Sequence, residues 1–194
     1  MGQPARRLAT HADLWDVPDT MVGEILAGEL QMLPRPLPRH AFAQSSLSGE
    51  ISSPFQKGRG GPGGWIFLCE PELHLRDDVL VPDLAGWRRE RLPAVPESAA
   101  LDLAPDWVCE ILSPRTEALD RGLKAQIYAR EGVRWYWLLN PRTHTLEVWR
   151  LEQGRWLVLD FHQGDAAIRA EPFDAVPIEL GALWAPGPES PLEP

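Results

Sequence analysis

A chain of 194 residues, 44% hydrophobic and 24% charged, carries enough apolar surface for one core and is short for two. That balance excludes a disordered or fibrous chain. A net charge of −9 and a pI near 5.0 exclude a protein coated in positive charge for non-specific nucleic-acid binding, but not a local cationic groove.

Taken in chain order, residues 1–9 read as a flexible tail, and Thr10 with Asp13 as a capping box opening a short helix over 11–16. No apolar run near the start serves as a signal peptide, and no stretch reaches the length of a membrane span, so a soluble, cytoplasmic protein is expected. Residues 21–34 read as two short strands around an Ala27-Gly28 turn. A helix follows over 39–56, with Ala41, Phe42, Leu47 and Ile51 as its apolar positions. The loop KGRGGPGG (57–64) spells G-x-G-x-x-G at Gly58, Gly60 and Gly63. A dinucleotide fingerprint must follow a strand and open a helix, whereas this one precedes an apolar strand and contains Pro62; it reads as a loop.

Strands are expected over 65–75 and 79–87, joined by the turn residues Arg76, Asp77 and Asp78, followed by a charged connection over 88–106. WVCEILS (107–113) is a strand, 116–132 a helix closed by Gly132, and 134–140 an apolar strand. Strand, helix, strand is a β-α-β unit, so part of the sheet is parallel and helices cover it. Strands over 144–151 and 155–161 form a hairpin at Gln153-Gly154. The fold class is therefore α/β, a mixed sheet flanked by helices, with a single domain over 10–184 and a disordered Pro-rich tail over 185–194. Cys69 and Cys109 both lie in apolar strands and read as buried free thiols. Nine Trp predict a core built on large aromatic surfaces.

Three segments carry the chemistry. Asp83 and Glu110 are acids within apolar stretches, and a period of two sets Glu110 on the face of Val108 and Leu112. A carboxylate there is costly unless paired. Asp120, Lys124 and Tyr128 form one stripe at spacing four on the following helix. Two strand carboxylates offer a hard cation oxygen ligands, and a nearby ammonium suits charge developing on phosphate. The plainer readings are a turn for Pro82-Asp83 and a surface i,i+4 pair for Asp120 and Lys124. Lys is scarce here, two among 19 Lys and Arg residues, which marks Lys124 as chosen for a compact ammonium.

PDLAGWRRERLP, PDWVCEILSP, the Asp120–Lys124 helix and YAREGVRWYWLLNP, together with GEILAGELQMLPRPLPRH near the start, resemble the Uma-type "putative restriction endonuclease" family. That family is a domain of unknown function within the PD-(D/E)XK nuclease superfamily, and the resemblance covers about residues 10–160. It implies a restriction-endonuclease-like fold in which Asp83 and Glu110 bind Mg2+, or Mn2+ as a substitute, with the main-chain carbonyl of Ile111 completing the shell. The superfamily Lys stands two residues after the Glu, where this chain has Leu112; Lys124 matches the relocated Lys. Glu24 matches an early acid, a further ligand or general base. His40 matches a family His whose role is structural or catalytic.

The implied function is metal-dependent phosphodiester hydrolysis of nucleic acid, DNA before RNA. Arg88, Arg89, Arg91, Arg115 and Arg121 are candidates for the phosphate-facing rim, and a homodimer would suit two-fold duplex cleavage. The competing reading is a catalytically inactive nuclease-fold interaction domain, which the acidic charge favours. Glycoside hydrolysis leaves Lys124 without a role, and the scattered His residues do not make a zinc site.

Overall fold

The computed structural model describes residues 7–187. At its centre is a six-stranded sheet in the order β11-β10-β9-β8-β6-β3. Its members are β3 (Trp65–Cys69), β6 (Leu84–Arg88), β8 (Trp107–Ile111), β9 (Trp135–Asn140), β10 (Thr145–Glu152) and β11 (Arg155–Gln163). All its pairings are antiparallel except β8 with β9, the parallel pair of the β-α-β unit.

The two-residue period of these strands divides the core in two. Trp107, Cys109 and Ile111 of β8 join Trp135, Trp137 and Leu139 of β9 on one face. There they pack under α2 (Pro38–Ile51) and a C-terminal segment carrying Phe173, Leu180 and Leu183. Val108 and Leu112 join Tyr136 and Leu138 on the opposite face, against a second sheet and α4 (Ala125–Arg130). Trp65, Trp87, Trp107 and Trp137 are among the largest fully buried side chains, so the aromatic core is realised on both faces.

The second sheet has the order β2-β1-β5-β4-β7. Its strands are β1 (Met21–Leu26), β2 (Glu29–Pro34), β4 (Glu72–Leu75), β5 (Asp78–Leu80) and β7 (Ala100–Leu101). Leu26 and Leu80 enter the core shared with the first sheet, and Glu24, two residues before Leu26, projects the same way. The result is a mixed α/β domain whose sheets are flanked by helices. Among the described residues no helix is long and apolar enough to cross a membrane.

Several expected elements are subdivided. The strand expected over 65–75 breaks at Glu70, whose φ is 47°, and its halves β3 and β4 enter different sheets. The strand expected over 79–87 likewise breaks between β5 and β6, so Asp83 occupies a bend rather than a strand interior. The helix over 116–132 is α3 (Glu117–Leu119), a π-helical turn (Asp120–Lys124) and α4. The short helix α1 (His11–Leu14) stops two residues early; Asp13 accepts hydrogen bonds from the Thr10 N–H and hydroxyl. In α2 the inward positions are Ala43, Gln44, Leu47 and Ile51, whereas Ala41 and Phe42 face solvent. Cys69 is exposed, because it ends β3 at the sheet's rim; Cys109 is buried and free.

The glycine segment 57–64 is a loop, folded back so that Gly63 N–H bonds the Pro54 carbonyl. Short strands β12 (Ala167–Ile168) and β13 (Ile178–Glu179) close the C-terminal segment. The expected tails fall mainly on residues 1–6 and 188–194, outside the described residues; Ala9, assigned to the tail, donates its N–H to the Gly28 carbonyl.

Gly86 of β6 is where the first sheet leaves no room. A Cβ there would stand 2.9 Å from two Phe67 ring carbons and 3.2 Å from the Trp107 ring. Gly86→Ala is expected to cost about 1–3 kcal/mol by overpacking. A lower urea midpoint at unchanged slope is the measurement that checks it.

Candidate active site

The bend before β6 aims Asp83 at β8. Leu84 pairs with Cys109, so Asp83 and Glu110 are the next opposed positions along that antiparallel pair. Both lie on the face that carries Ala85 and Val108. Asp83 grips the main chain just beyond Glu110, and Glu110 that of Asp83: Ile111 N–H donates to Asp83 Oδ2 at 2.6 Å, and Asp83 N–H to Glu110 Oε2 at 3.3 Å.

A second layer fixes Asp83 from α2. His40 Nε2 stands 3.2 Å from Asp83 Oδ1, and Gln44 Nε2 donates to the Asp83 carbonyl at 2.8 Å. The Glu70 N–H donates to the same carbonyl at 3.1 Å.

Glu110 Oε1 receives two strong contacts, the Lys124 ammonium at 2.7 Å and the Tyr128 hydroxyl at 2.7 Å. Lys124 also reaches Glu24 Oε1 at 3.2 Å and Asp120 Oδ1 at 3.7 Å. Glu24 Oε1 accepts the Val81 N–H as well, at 2.7 Å. The Lys124 side chain is only 3% exposed, so Asp120 and Lys124 are not a surface pair. A chain of acids from two sheets and one helix therefore meets a single buried cation. The π-helical turn lies at this convergence and supplies both Asp120 and Lys124.

Charge is tightly constrained here. Burial opposes the Lys124 ammonium, but Glu110, Glu24 and Asp120 outweigh it and hold the amine charged, well above its ordinary range. Burial pushes Glu110 well up, with Lys124 pulling the other way and Asp120, Asp83 and Glu24 adding repulsion. Asp120 is raised from 3.8 to about 6, first by burial. Burial works against protonated His40, yet its contact with Asp83 prevails and its pKa is raised. Three acids around one ammonium favour retention of a proton, and Glu110 is the group most strongly driven to keep it.

Above the acids lies a cleft of about 560 Å3 lined by residues that include Glu70, Asp83, Glu110, Leu112, Asp120 and Lys124. Arg35, Arg39, Arg115 and Arg142 stand around it, and none forms an ion pair among the described residues. Of the arginines expected at the rim, only Arg115 is there. Arg91 is committed to Asp106, Arg121 to Glu117 and Glu147, and Arg88 lies over the Trp65 ring, while Arg89 reaches the Gln56 carbonyl. Arg35, Arg39 and Arg142 were not legible as rim residues. Gln44 and Tyr128 carry a signal in sequence: each follows another polar site residue, His40 or Lys124, by four positions on a helix.

Whether the site suits a hard cation is decided by its oxygens. Among the described residues no group of three or more His, Cys, Asp and Glu side chains forms a metal cage. Magnesium does not require one: one or two carboxylates with retained waters suffice. Asp83 uses one acceptor position on each oxygen, and Glu110 Oε2 accepts only the 3.3 Å bond, so both have spare capacity. Glu24 Oε2 is buried without a hydrogen-bond partner. These donors fit magnesium; the Ile111 main chain lies against the same carboxylate through its N–H.

A family model named Uma2 and described as "Putative restriction endonuclease" matches residues 15–180. Among solved structures, the crystal structure of a putative nuclease belonging to DUF820 from Anabaena variabilis is similar at a TM-score of 0.69 and 24% identity. The match covers 91% of this chain and 97% of that one, so the two share a fold. No curated protein matches the chain.

The buried cluster makes two predictions. Lys124→Met removes the one cation and leaves Glu24, Glu110 and Asp120 facing each other, an expected loss of about 3–5 kcal/mol in urea unfolding. Asp120→Asn should act in the opposite sense. An acid raised from 3.8 to about 6 holds its proton longer folded than unfolded, so its contribution to stability falls as pH rises across that window. Asp120→Asn is therefore expected to be more stable than the native chain at pH 8, by about 1–3 kcal/mol, with the advantage shrinking toward pH 4. Thermal unfolding at the two pH values checks the sign.

Proposed function

This chain belongs to the Uma2 family, described as "Putative restriction endonuclease", and from that premise we propose that it is a magnesium-dependent nuclease hydrolysing phosphodiester bonds, those of DNA rather than RNA. The observation that carries the reading is the Lys124–Glu110 contact beside Asp83, at the floor of a cleft edged by arginines without acid partners. The family description supports a nucleic-acid substrate and DNA in particular.

In hydrolysis a water oxygen bonds to phosphorus, the bond to the leaving oxygen breaks, and a proton passes from the water to the departing group by way of protein or solvent. Asp83 and Glu110, with the Ile111 carbonyl, would hold Mg2+, or Mn2+ in its place. When bound, that ion neutralises charge on the phosphate oxygens and acidifies a water. The chain's own part is to preorganise. Asp83 is locked by Ile111 and His40, and Glu110 by Tyr128, Lys124 and the Asp83 N–H, so little reorganisation is left for the reaction. Lys124, held charged by its acids, can offer a hydrogen bond to the anionic phosphoryl group. Glu110 is driven to keep a proton in the free chain, and a divalent cation beside it would favour the carboxylate instead. Glu24 supports Lys124 and supplies a spare oxygen.

A second reading, an interaction domain that kept the fold without the chemistry, is favoured by exposed Leu157, Val158 and Phe161 on the edge strand β11. Calorimetric titration with Mg2+ separates the two, since only the nuclease reading requires the ion to bind and Asp83→Asn to abolish binding.

With Mg2+ or Mn2+ and labelled DNA, the native protein is expected to cleave. Asp83→Asn and Glu110→Gln should each lower the rate by about a hundredfold or more while circular dichroism stays native. Arg39→Ala and Arg142→Ala should weaken DNA binding, each reducing the slope of log affinity against log salt by about one. Absence of cleavage with both metals across DNA and RNA substrates would sink the nuclease reading.

A further inference from the structure

The cleft that holds the acids has two unlike halves. Its floor is charged, and its walls are aliphatic. Val22 and Leu33 come from the β1–β2 hairpin, Leu37 from the segment leading into α2, and Leu112, Pro114 and Pro141 from the chain just beyond β8 and β9. Hydrolysis at phosphorus has no use for an apolar wall, and a bare phosphodiester would bury none of it. Leu37 is 72% exposed and extends the apolar surface out to the rim beside Arg39. Something apolar and flat, carried by the same substrate as the phosphate, would cover this surface. A nucleobase meets that description.

Size narrows the substrate further. A volume of about 560 Å3 lies within the range of small-molecule pockets, roughly 300–1,000 Å3, and suits a nucleotide unit rather than a duplex. An intact duplex keeps its bases stacked inside and offers these walls nothing to cover.

On the nuclease reading above, we propose that the site takes unpaired DNA: a single strand, or a strand end or bubble, with one base packed against the aliphatic walls. Its phosphate then meets the Asp83–Glu110 pair and the mouth formed by Arg39, Arg115 and Arg142. The one aromatic ring lining the cleft, the His40 imidazole, is engaged with Asp83, so the base is held by packing on aliphatic walls. Ser113 and Thr116 hydroxyls lie 3.0 Å apart and share one hydrogen bond, and the arginines at the mouth serve the phosphate, so aliphatic packing, which is indifferent to base identity, carries the contact with the base. Base identity is therefore tolerated.

Binding and cleavage test this together on the full chain. With Ca2+ in place of Mg2+, a hard cation for the same oxygens, fluorescence anisotropy compares one labelled oligonucleotide as single strand, as blunt duplex, and as single strand with several abasic positions. The single strand is expected to bind roughly tenfold tighter than the duplex, and removal of bases to weaken it by roughly fivefold or more. Leu37→Gln, at an exposed position where folding is not at stake, should erode both differences while leaving Mg2+ affinity unchanged. In Mg2+ or Mn2+, single-stranded DNA should be cut in preference to duplex, with little dependence on sequence. Equal binding of single strand and duplex, or no loss on removing the bases, overturns the inference. Cleavage of duplex without preference overturns it too, yet leaves the nuclease standing. No cleavage of any substrate removes the nuclease reading along with the inference that rests on it.

Discussion

One ammonium group ties the structure together. Lys124 stands on the helix between β8 and β9 and touches Glu110 of the six-stranded sheet, Glu24 of the five-stranded sheet and Asp120 of its own helix. Three units of the fold thus meet at the nitrogen of one side chain that is 3% exposed. A buried charge of this kind is a poor way to gain stability, because desolvation cancels much of the attraction, and an apolar side chain of similar size packs at least as well. Its presence makes sense if the cluster specifies where the helix docks and how the acids are oriented. The same bonds that align the two sheets also aim Glu110, so the geometry of the site and the packing of the domain are a single constraint.

Asp83 is governed differently. No buried cation holds it. It is fixed by a main-chain N–H from β8 and by the imidazole of His40, with Gln44 holding its carbonyl. This costs α2 its simple amphipathic pattern, since Gln44 occupies an inward position that an apolar residue would otherwise fill. The two carboxylates therefore have unlike surroundings. Glu110 is enclosed and pushed toward its protonated form, whereas Asp83 faces the cleft beside His40. Paired acids in contrasting environments can divide the labour of holding a cation and moving a proton.

Much of this was legible in the sequence where periodicity speaks. The two-residue alternation of β8 placed Glu110 with Val108 and Leu112, and the structure has it on that face. The spacing of four set Asp120, Lys124 and Tyr128 together, and all three are buried at the site even though a π-helical turn intervenes. Breaks were harder to read. Pro82-Asp83 sits in a stretch apolar enough to pass for continuous strand, and Glu70 gives no warning that it adopts a left-handed conformation. The arginine rim failed for another reason. Whether an arginine is available depends on acids far away in sequence, such as Asp106 for Arg91 and Glu147 for Arg121, and no local pattern reports those partners. Cys69 was misjudged because an apolar strand can still end at a rim.

The acidic balance of the chain, −9 overall, is the obvious objection to a polyanionic substrate. It bears on the site more than on the surface. Glu24, Glu110 and Asp120 surround one ammonium and Asp83 lies beside them, so even with Glu110 protonated the floor of the cleft is negative and would repel a phosphodiester. Exposed arginines at the mouth offset this only in part, because solvent and salt screen them whereas the buried acids are screened little. A divalent cation between Asp83 and Glu110 would change the balance where it matters, at the point a phosphate must occupy. On the proposed reading, an added cation would offset the excess of buried acid over buried base, and a donor set of oxygens suits a hard one better than zinc or copper.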